Sequence, residues 1–371
     1  MKKIILPCIV ISLLLCSCGK NSSEVTDTMS KTPIRSAGEY EVEWVDTSKL
    51  ALVDNILPSV VDSQMYCMQS IFVSRNEDGR TEHKYEEISY DMVSNEWSGS
   101  KVFPATDKIN RIGLGSMFRM SPDGIWYFLL FKWDENLKKY DKAGLSRLTE
   151  EGEVEEIKIS EDIVGEPFVV DSYMIRSDGK ICIKVCPESR YEKVSLPEMN
   201  VVLYDPETET FEYGGDLLMG FMDMITIENE YFYRSVAGGK CGYSVKTKDT
   251  GDVVQREIFC EGDTPEGGWT NDVFSIRDTY DDTGNLYVLN AGGIYGGYYK
   301  DSELKNIVPV SVLDELGLSS QTGLGSEKML FVSDFWRGAE TEYADFYVFI
   351  TDMTDDVHIK VTLAHIKKKD V

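Results

Sequence analysis

Histidine is the scarcest chemical resource in this chain. His83, His358 and His365 are the only three in 371 residues, and they lie on separate segments without a His-x-His or paired-cysteine spacing. That leaves no zinc-site pattern. No GxSxG elbow, Walker loop, dinucleotide fingerprint or EF-hand loop occurs either. The stretch DTYDDTGN, Asp278 to Asn285, gathers three carboxylates, but not at the spacing of a 12-residue calcium loop. The expected catalytic set, metal and cofactor are therefore none. Positive charge is also short, with 38 Lys and Arg against 64 Asp and Glu and a formal net charge of -26. Such an acidic surface argues against nucleic acid, which needs clustered basic residues. It also repels anionic headgroups, so the folded part should stand off a membrane surface. Helical patterning is nearly absent, and Val310 to Gly317 is the one short helix expected. No apolar run reaches the roughly 20 residues that a membrane-spanning helix requires.

What is present begins at the N-terminus. Lys2 and Lys3 precede an apolar run from Ile4 to Leu15, and LCSC closes the segment at Cys18. These are signal-peptide proportions. The ending resembles the bacterial lipobox, with Leu15 three residues before the cysteine and small Ser17 just before it. The resemblance implies cleavage before Cys18 and a diacylglyceryl group on its sulfur, whereas Cys16 would put Leu15 where a small side chain belongs. An ordinary secretory signal is the alternative. Residues 1–17 are thus expected to be a lipoprotein signal peptide, and residues 18–38 a lipidated cysteine with a disordered tether. The tether is polar, with Ser, Thr, Gly and Pro and no apolar periodicity. Residues 39–371 are expected to form a single domain held at the cell envelope, outside the cytoplasm.

Five cysteines remain beyond Cys18, namely Cys67, Cys182, Cys186, Cys241 and Cys260. Cys182 and Cys186 fall on one expected strand, about 13 Å apart at the usual rise and beyond disulfide reach. Cys67 reads as a small core residue. Cys241 and Cys260 flank a hairpin signal, DTGD at Asp249 to Asp252. A turn centred on Thr250-Gly251 would set them opposite each other, so a cross-strand disulfide is expected there, with two free thiols as the alternative.

The folded part alternates short Val-, Ile-, Tyr- and Phe-rich runs with Gly, Asp, Asn and Pro clusters. One unit recurs, a strand, a tight polar turn and a strongly apolar strand. Its clearest copies are MFRMSPDGIWYFLLF from Met117, YMIRSDGKICIKV from Tyr173 and SIRDTYDDTGNLYVLN from Ser275. With turns at Ser63, Gly124, Gly179, Asn229, Gly284 and Glu327, the mean period is about 53 residues. Each period holds two further strands, so four strands per repeat predict an all-β, six-bladed propeller. A seven-bladed ring is the alternative count, and a β-sandwich or jelly roll the alternative architecture. YEVEWVDTS near the N-terminus could join the last blade and lock the ring. SPDGIWYF and DDTGNLYV resemble the inner-turn motifs of TolB-like and related irregular propellers, a likeness of blade pattern only.

Arg119, Arg176 and Arg277 precede their turns by odd offsets, so regular strands would give them one facing. A cationic patch on the channel would suit an anionic ligand such as a carboxylate, while pairing with Asp123, Asp178 or Asp281 is the alternative. The set resembles the arginine triad of sialidases, and Phe118-Arg119 matches the start of their Phe-Arg-Ile-Pro motif. Met120 and Ser121 then depart from it, and SPDG lacks their Asp-box spacing. Trp133, Trp269 and Trp336 are candidate aromatic platforms for sugars or peptides. The function expected is a lipid-anchored, monomeric binding or interaction module. Its partners would be the membrane, through the lipid, and a glycan, peptide or envelope protein. A sialidase-like glycosidase or a lyase on an anionic glycan is the alternative.

Overall fold

The computed structural model describes residues 39–50, 58–75, 81–103, 118–134, 139–176, 178–191, 199–217, 224–227, 230–237, 240–247, 253–256, 259–261, 277–280, 284–290, 292–298, 301, 303–318, 330–339, 343–352, 354 and 360–369. Cys18 and the proposed tether lie outside them. The described residues are almost all strand. After β1 (Tyr40–Val45) the chain forms meanders in sequence order. The first is β2 (Ser59–Val61), β3 (Gln64–Arg75), β4 (Thr81–Asp91) and β5 (Glu96–Phe103). The second is β6 (Arg119–Met120), β7 (Trp126–Asp134), β8 (Lys139–Leu148) and β9 (Val154–Glu156). The third is β10 (Phe168–Ile175), β11 (Ile181–Pro187), β12 (Met199–Asp205) and β13 (Thr210–Leu217), with the single-turn helix α1 (Glu188–Tyr191) inside it. The fourth is β14 (Met224–Ile227), β15 (Glu230–Ala237), β16 (Lys240–Thr247) and β17 (Val253–Arg256). Then come β18 (Phe259–Cys260), β19 (Arg277–Tyr280), β20 (Asn285–Asn290), β21 (Gly293–Tyr298) and β22 (Glu303–Pro309). The helix α2 (Val310–Glu315) leads to β23 (Leu330–Arg337), β24 (Asp345–Asp352) and β25 (Lys360–Lys368).

These strands make five sheets, which corrects the expectation of six or seven separate blades. The cause is local. β9 is three residues long and covers only Ser146 to Leu148 of β8. The rest of that edge stays open, and Val170 of β10 pairs there with Ala143. The second and third meanders thereby fuse into one sheet of eight strands.

Strand sequences explain the packing. β24 buries Phe346, Val348 and Ile350 on one face and Tyr347 and Phe349 on the other, so both faces must be covered. Neighbouring sheets supply the cover. One apolar cluster joins β20–β22 and α2 to β23–β25, and another joins β24 and β25 to β3 and β4. A third joins β3–β5 to β7 and β8, and a fourth joins β7 and β8 to β10–β12. β1 closes the order by pairing antiparallel with β25, Tyr40 opposite Lys368 through Val45 opposite Leu363. Four of the five sheets are thus joined by apolar packing, and the first strand is added to the last sheet, the arrangement of an all-β propeller. The repeat's turns are also where expected. Gly124, Gly179 and Gly284 have φ of 83°, 81° and 80°, and Asp62 and Ser63 have 48° and 61°. Left-handed backbone of this kind favours glycine.

Candidate ligand-binding site

Two of the repeat's turns share one construction. Ser121 N–H donates to Ile125 O at 2.9 Å and Gly124 N–H to Ser121 O at 2.9 Å. Arg176 N–H donates to Lys180 O at 2.8 Å and Gly179 N–H to Arg176 O at 3.0 Å. Arg176 therefore occupies the place of Ser121, not that of Arg119. Its side chain follows suit. Ser121 Oγ bonds Asp123, and buried Arg176 grips Asp178 through Nε at 3.0 Å and Nη2 at 2.8 Å. The expected arginine triad is corrected here, because Arg176 is engaged by its own turn.

Arg119 is placed differently. It lies on two-residue β6, an innermost strand in contact with innermost β2 and β10. Its Nη1 is buried and has no hydrogen-bond partner among the described residues. Tyr173 on β10 sits beside it and donates to Tyr127 O at 2.6 Å. Burial pushes the Tyr173 phenol well up, while the Arg119 charge and backbone N–H pull the other way. Arg277 opens β19, also an innermost strand, but its side chain lies outside the description.

Register extends the site outward. Arg119 pairs with Tyr127, Tyr127 with Arg147, and Arg147 with Glu155, so the four share one face from β6 to β9. Arg147 donates to Glu155 at 2.8 Å and, across to the β12–β13 turn, to Glu209 at 3.3 Å. The Glu155 bond is the main reason its guanidinium holds its proton still more firmly than usual. Beside it an open cavity of about 230 Å³ is lined by Arg147, Glu155, Lys158, Tyr204, Glu209 and Phe211 among others. The Tyr204 and Phe211 rings stack at 4.7 Å and 27°. Tyr127 is fully buried, with the Arg147 guanidinium beside its hydroxyl. Burial pushes this phenol up to about 12, with Asp123 and Tyr204 raising it and Arg147 lowering it.

The aromatic candidates fare less well. Trp336 on β23 packs edge-on against Phe349 at 6.1 Å, within the contact between the last and first sheets, and is no open platform. Trp133 falls on β7 with its side chain outside the description, and Trp269 lies outside the described residues altogether. The cysteine expectation is corrected by register. β16 and β17 pair Tyr243 with Arg256 and Lys246 with Val253, two residues short of the alignment that would face Cys241 with Cys260. Cys260 has crossed to β18, buried and parallel to β22 opposite Leu304, where its sulfur accepts from Asn290 at 3.6 Å. His365 is buried on β25 between β1 and β24. Its Nε2 lies 2.6 Å from Asp345 Oδ1. Among the described residues no cluster of three or more His, Cys, Asp or Glu could hold a metal.

Sequence reasoning missed Tyr127, Arg147, Tyr204 and Glu209. Arg147 and Glu209 are 62 positions apart, and only the packing of two meanders brings them together.

No family profile and no curated protein sequence matches this chain. Among solved structures it is similar to a luciferin-regenerating enzyme, at 12% identity and TM-score 0.48, over 89% of this chain and 95% of that one. It is also similar to the β-propeller domain of the Trilobed protease from Pyrococcus furiosus, at 12%, TM-score 0.41, 84% and 81%. A third is TolB from Acinetobacter baumannii, at 12%, TM-score 0.34, 81% and 68%. At these values no activity carries across, and the propeller class rests on the strand order and sheet packing of the chain itself.

Proposed function

We propose that this protein is a lipid-anchored, extracytoplasmic propeller that binds an anionic ligand at its inner strands. The observation that supports the reading is Arg119, whose buried Nη1 has no partner among the described residues and lies beside Tyr173. A guanidinium stays charged at every physiological pH, and an unpaired buried donor is costly. A carboxylate in that position would satisfy it with a charge-assisted hydrogen bond. The sialidase-like alternative needs three arginines on one ligand, and Asp178 already engages Arg176.

Calorimetric titration of the full chain with sialyllactose, oligogalacturonate and carboxylate-ended peptides tests the site. At least one should bind, and Arg119→Gln should weaken it tenfold or more. Failure of all of them to bind, or an unchanged affinity in Arg119→Gln, would overturn the reading. Anchoring is tested separately. Cells fed labelled palmitate should acylate the wild-type chain and leave Cys18→Ala unlabelled, and label on that variant would sink the lipobox assignment.

A further inference from the structure

β1 closes the ring through one of its edges only. It is the outermost strand of the last sheet, and among the described residues no strand pairs with its other side. Lys369 N–H donates to Glu39 O at 2.8 Å, one step beyond the register that begins with Tyr40 opposite Lys368. Backbone groups alternate sides along an antiparallel strand, so Glu41, Glu43 and Val45 turn theirs to β25. Tyr40, Val42 and Trp44 turn theirs to the open edge.

Side chains distinguish this edge from an idle one. Tyr40, Val42 and Trp44 share one face. The first two are held against the core shared with α2 and β20–β22, but Trp44 is 51% exposed. Edges that are merely guarded carry charges, bulges or proline rather than a bare indole, and tryptophan is a frequent anchor of interfaces. Glu41 and Glu43 share the other face, and both reach Lys367 on the β25 side. On the open side no described strand offers them a cation.

Those acids decide the occupant. Antiparallel pairing with a second copy would set Glu41 against Glu43 of that copy, or one of them against itself, and in-register parallel pairing would set each against itself. Like charges across a strand pair are destabilising. A chain of formal charge -26 also repels its own copy and steers basic partners inward. We propose that the open edge of β1 takes up one extended segment of a basic partner protein as an added antiparallel strand. Lysine or arginine at alternate positions would stand opposite Glu41 and Glu43, doing on this side what Lys367 does on the other. Apolar residues between them would lie along Val42 and Trp44. Main-chain bonds then supply affinity and the alternation supplies specificity. This surface belongs to another sheet than Arg119 and does not rest on the reading of that site.

Fluorescence anisotropy on the full chain in a zwitterionic detergent would use labelled acetyl-Thr-Lys-Val-Lys-Val-Lys-Thr-amide. It should bind saturably. The same peptide with glutamate for lysine should bind about tenfold more weakly or not at all. So should the peptide N-methylated at both valines, which keeps its charge but loses the donors that would pair with this edge. Trp44→Thr, and Glu41→Gln together with Glu43→Gln, should each weaken binding about fivefold. Arg119→Gln should leave it unchanged. The two peptide controls use the wild-type chain, so a poorly folded variant leaves the test intact. The proposal is overturned if the lysine peptide does not bind, or if its N-methylated form binds as tightly. It is also overturned if well-folded Trp44→Thr and the double glutamine variant both bind as wild type does. A dimer in sedimentation velocity that the lysine peptide dissociates would overturn it too, by giving the edge to a second copy.

Discussion

Asp345 serves two contacts on β24. Its carboxylate meets His365 Nε2 at 2.6 Å, and it fills the space where a Cβ on Gly338 would stand. The His365 ring stacks on Tyr347, its direct cross-strand partner, at 4.1 Å and 10°. Burying such a pair wins little over apolar packing, but removing one partner strands the other. Asp345→Ala is therefore expected to cost about 3 kcal/mol in urea unfolding, and Asp345→Asn less. A loss under about 1 kcal/mol would mean the pair is not structurally coupled. Burial acts on pH dependence too. It pushes the Cys67 thiol and the Tyr127 phenol up to about 12, and Tyr173 and Tyr347 further. The folded chain keeps these protons where the unfolded chain releases them near 9 or 10. Their stabilisation is complete below those values and falls as pH rises toward 12. Urea midpoints at pH 8, 10 and 11.5 should decline in order, less steeply for Tyr127→Phe. A flat series would contradict the burial of these groups.

Turns are the elements on which the sequence was most informative, because a hairpin turn is chosen by its own few residues. Gly179 sits at φ 81° with nothing within 4 Å of an added Cβ, so Gly179→Ala meets a purely conformational penalty of about 1–2 kcal/mol. The repeat's first turn, at Ser63, runs the other way. Ser63 holds φ 61° after Asp62 at 48°, a pair of left-handed residues in a two-residue hairpin loop. Ser63→Gly should raise the unfolding midpoint, by up to about 1 kcal/mol. A destabilised Gly179→Ala beside a more modestly stabilised Ser63→Gly would fit this account, and a destabilised Ser63→Gly would refute it. The same local logic found α2 and the buried strand of Cys182 and Cys186. It failed at Cys241 and Cys260 because a turn motif does not fix register. There the chain leaves its own sheet after β17 to add β18 to the next one. It failed again at the blade count, where a three-residue β9 let two meanders fuse.

At the scale of the whole molecule the ring is held where its ends meet, and two kinds of force act there. One is electrostatic. Lys367 lies 2.7 Å from Glu43 and 3.7 Å from Glu41, with side chains between one third and one half exposed. Pairs of this kind contribute about 0–1 kcal/mol. The other is burial and pairing. Tyr40 and Val42 pack against the core shared with β20–β22, Val45 against the core shared with β3 and β4, and six residues of β1 pair with β25. Three half-buried apolar side chains alone are worth about 3 kcal/mol. The arginine candidates were legible because a repeat advertises its inner turns. This seam was only suggested, and the Tyr347 hydroxyl bond to Asn95 at 3.0 Å, joining residues 252 positions apart, left no trace in the sequence. The two forces separate experimentally. Lys367→Ala should shift the urea midpoint by less than about 1 kcal/mol, whereas deleting residues 39–45 should cost several times that. The deletion should also bare the β25 edge and drive self-association, as unpaired edges do. Light scattering and unfolding of both variants decide it. A monomeric deletion variant with wild-type stability would show that β1 is an ornament on the last sheet and that sheet packing alone closes the ring.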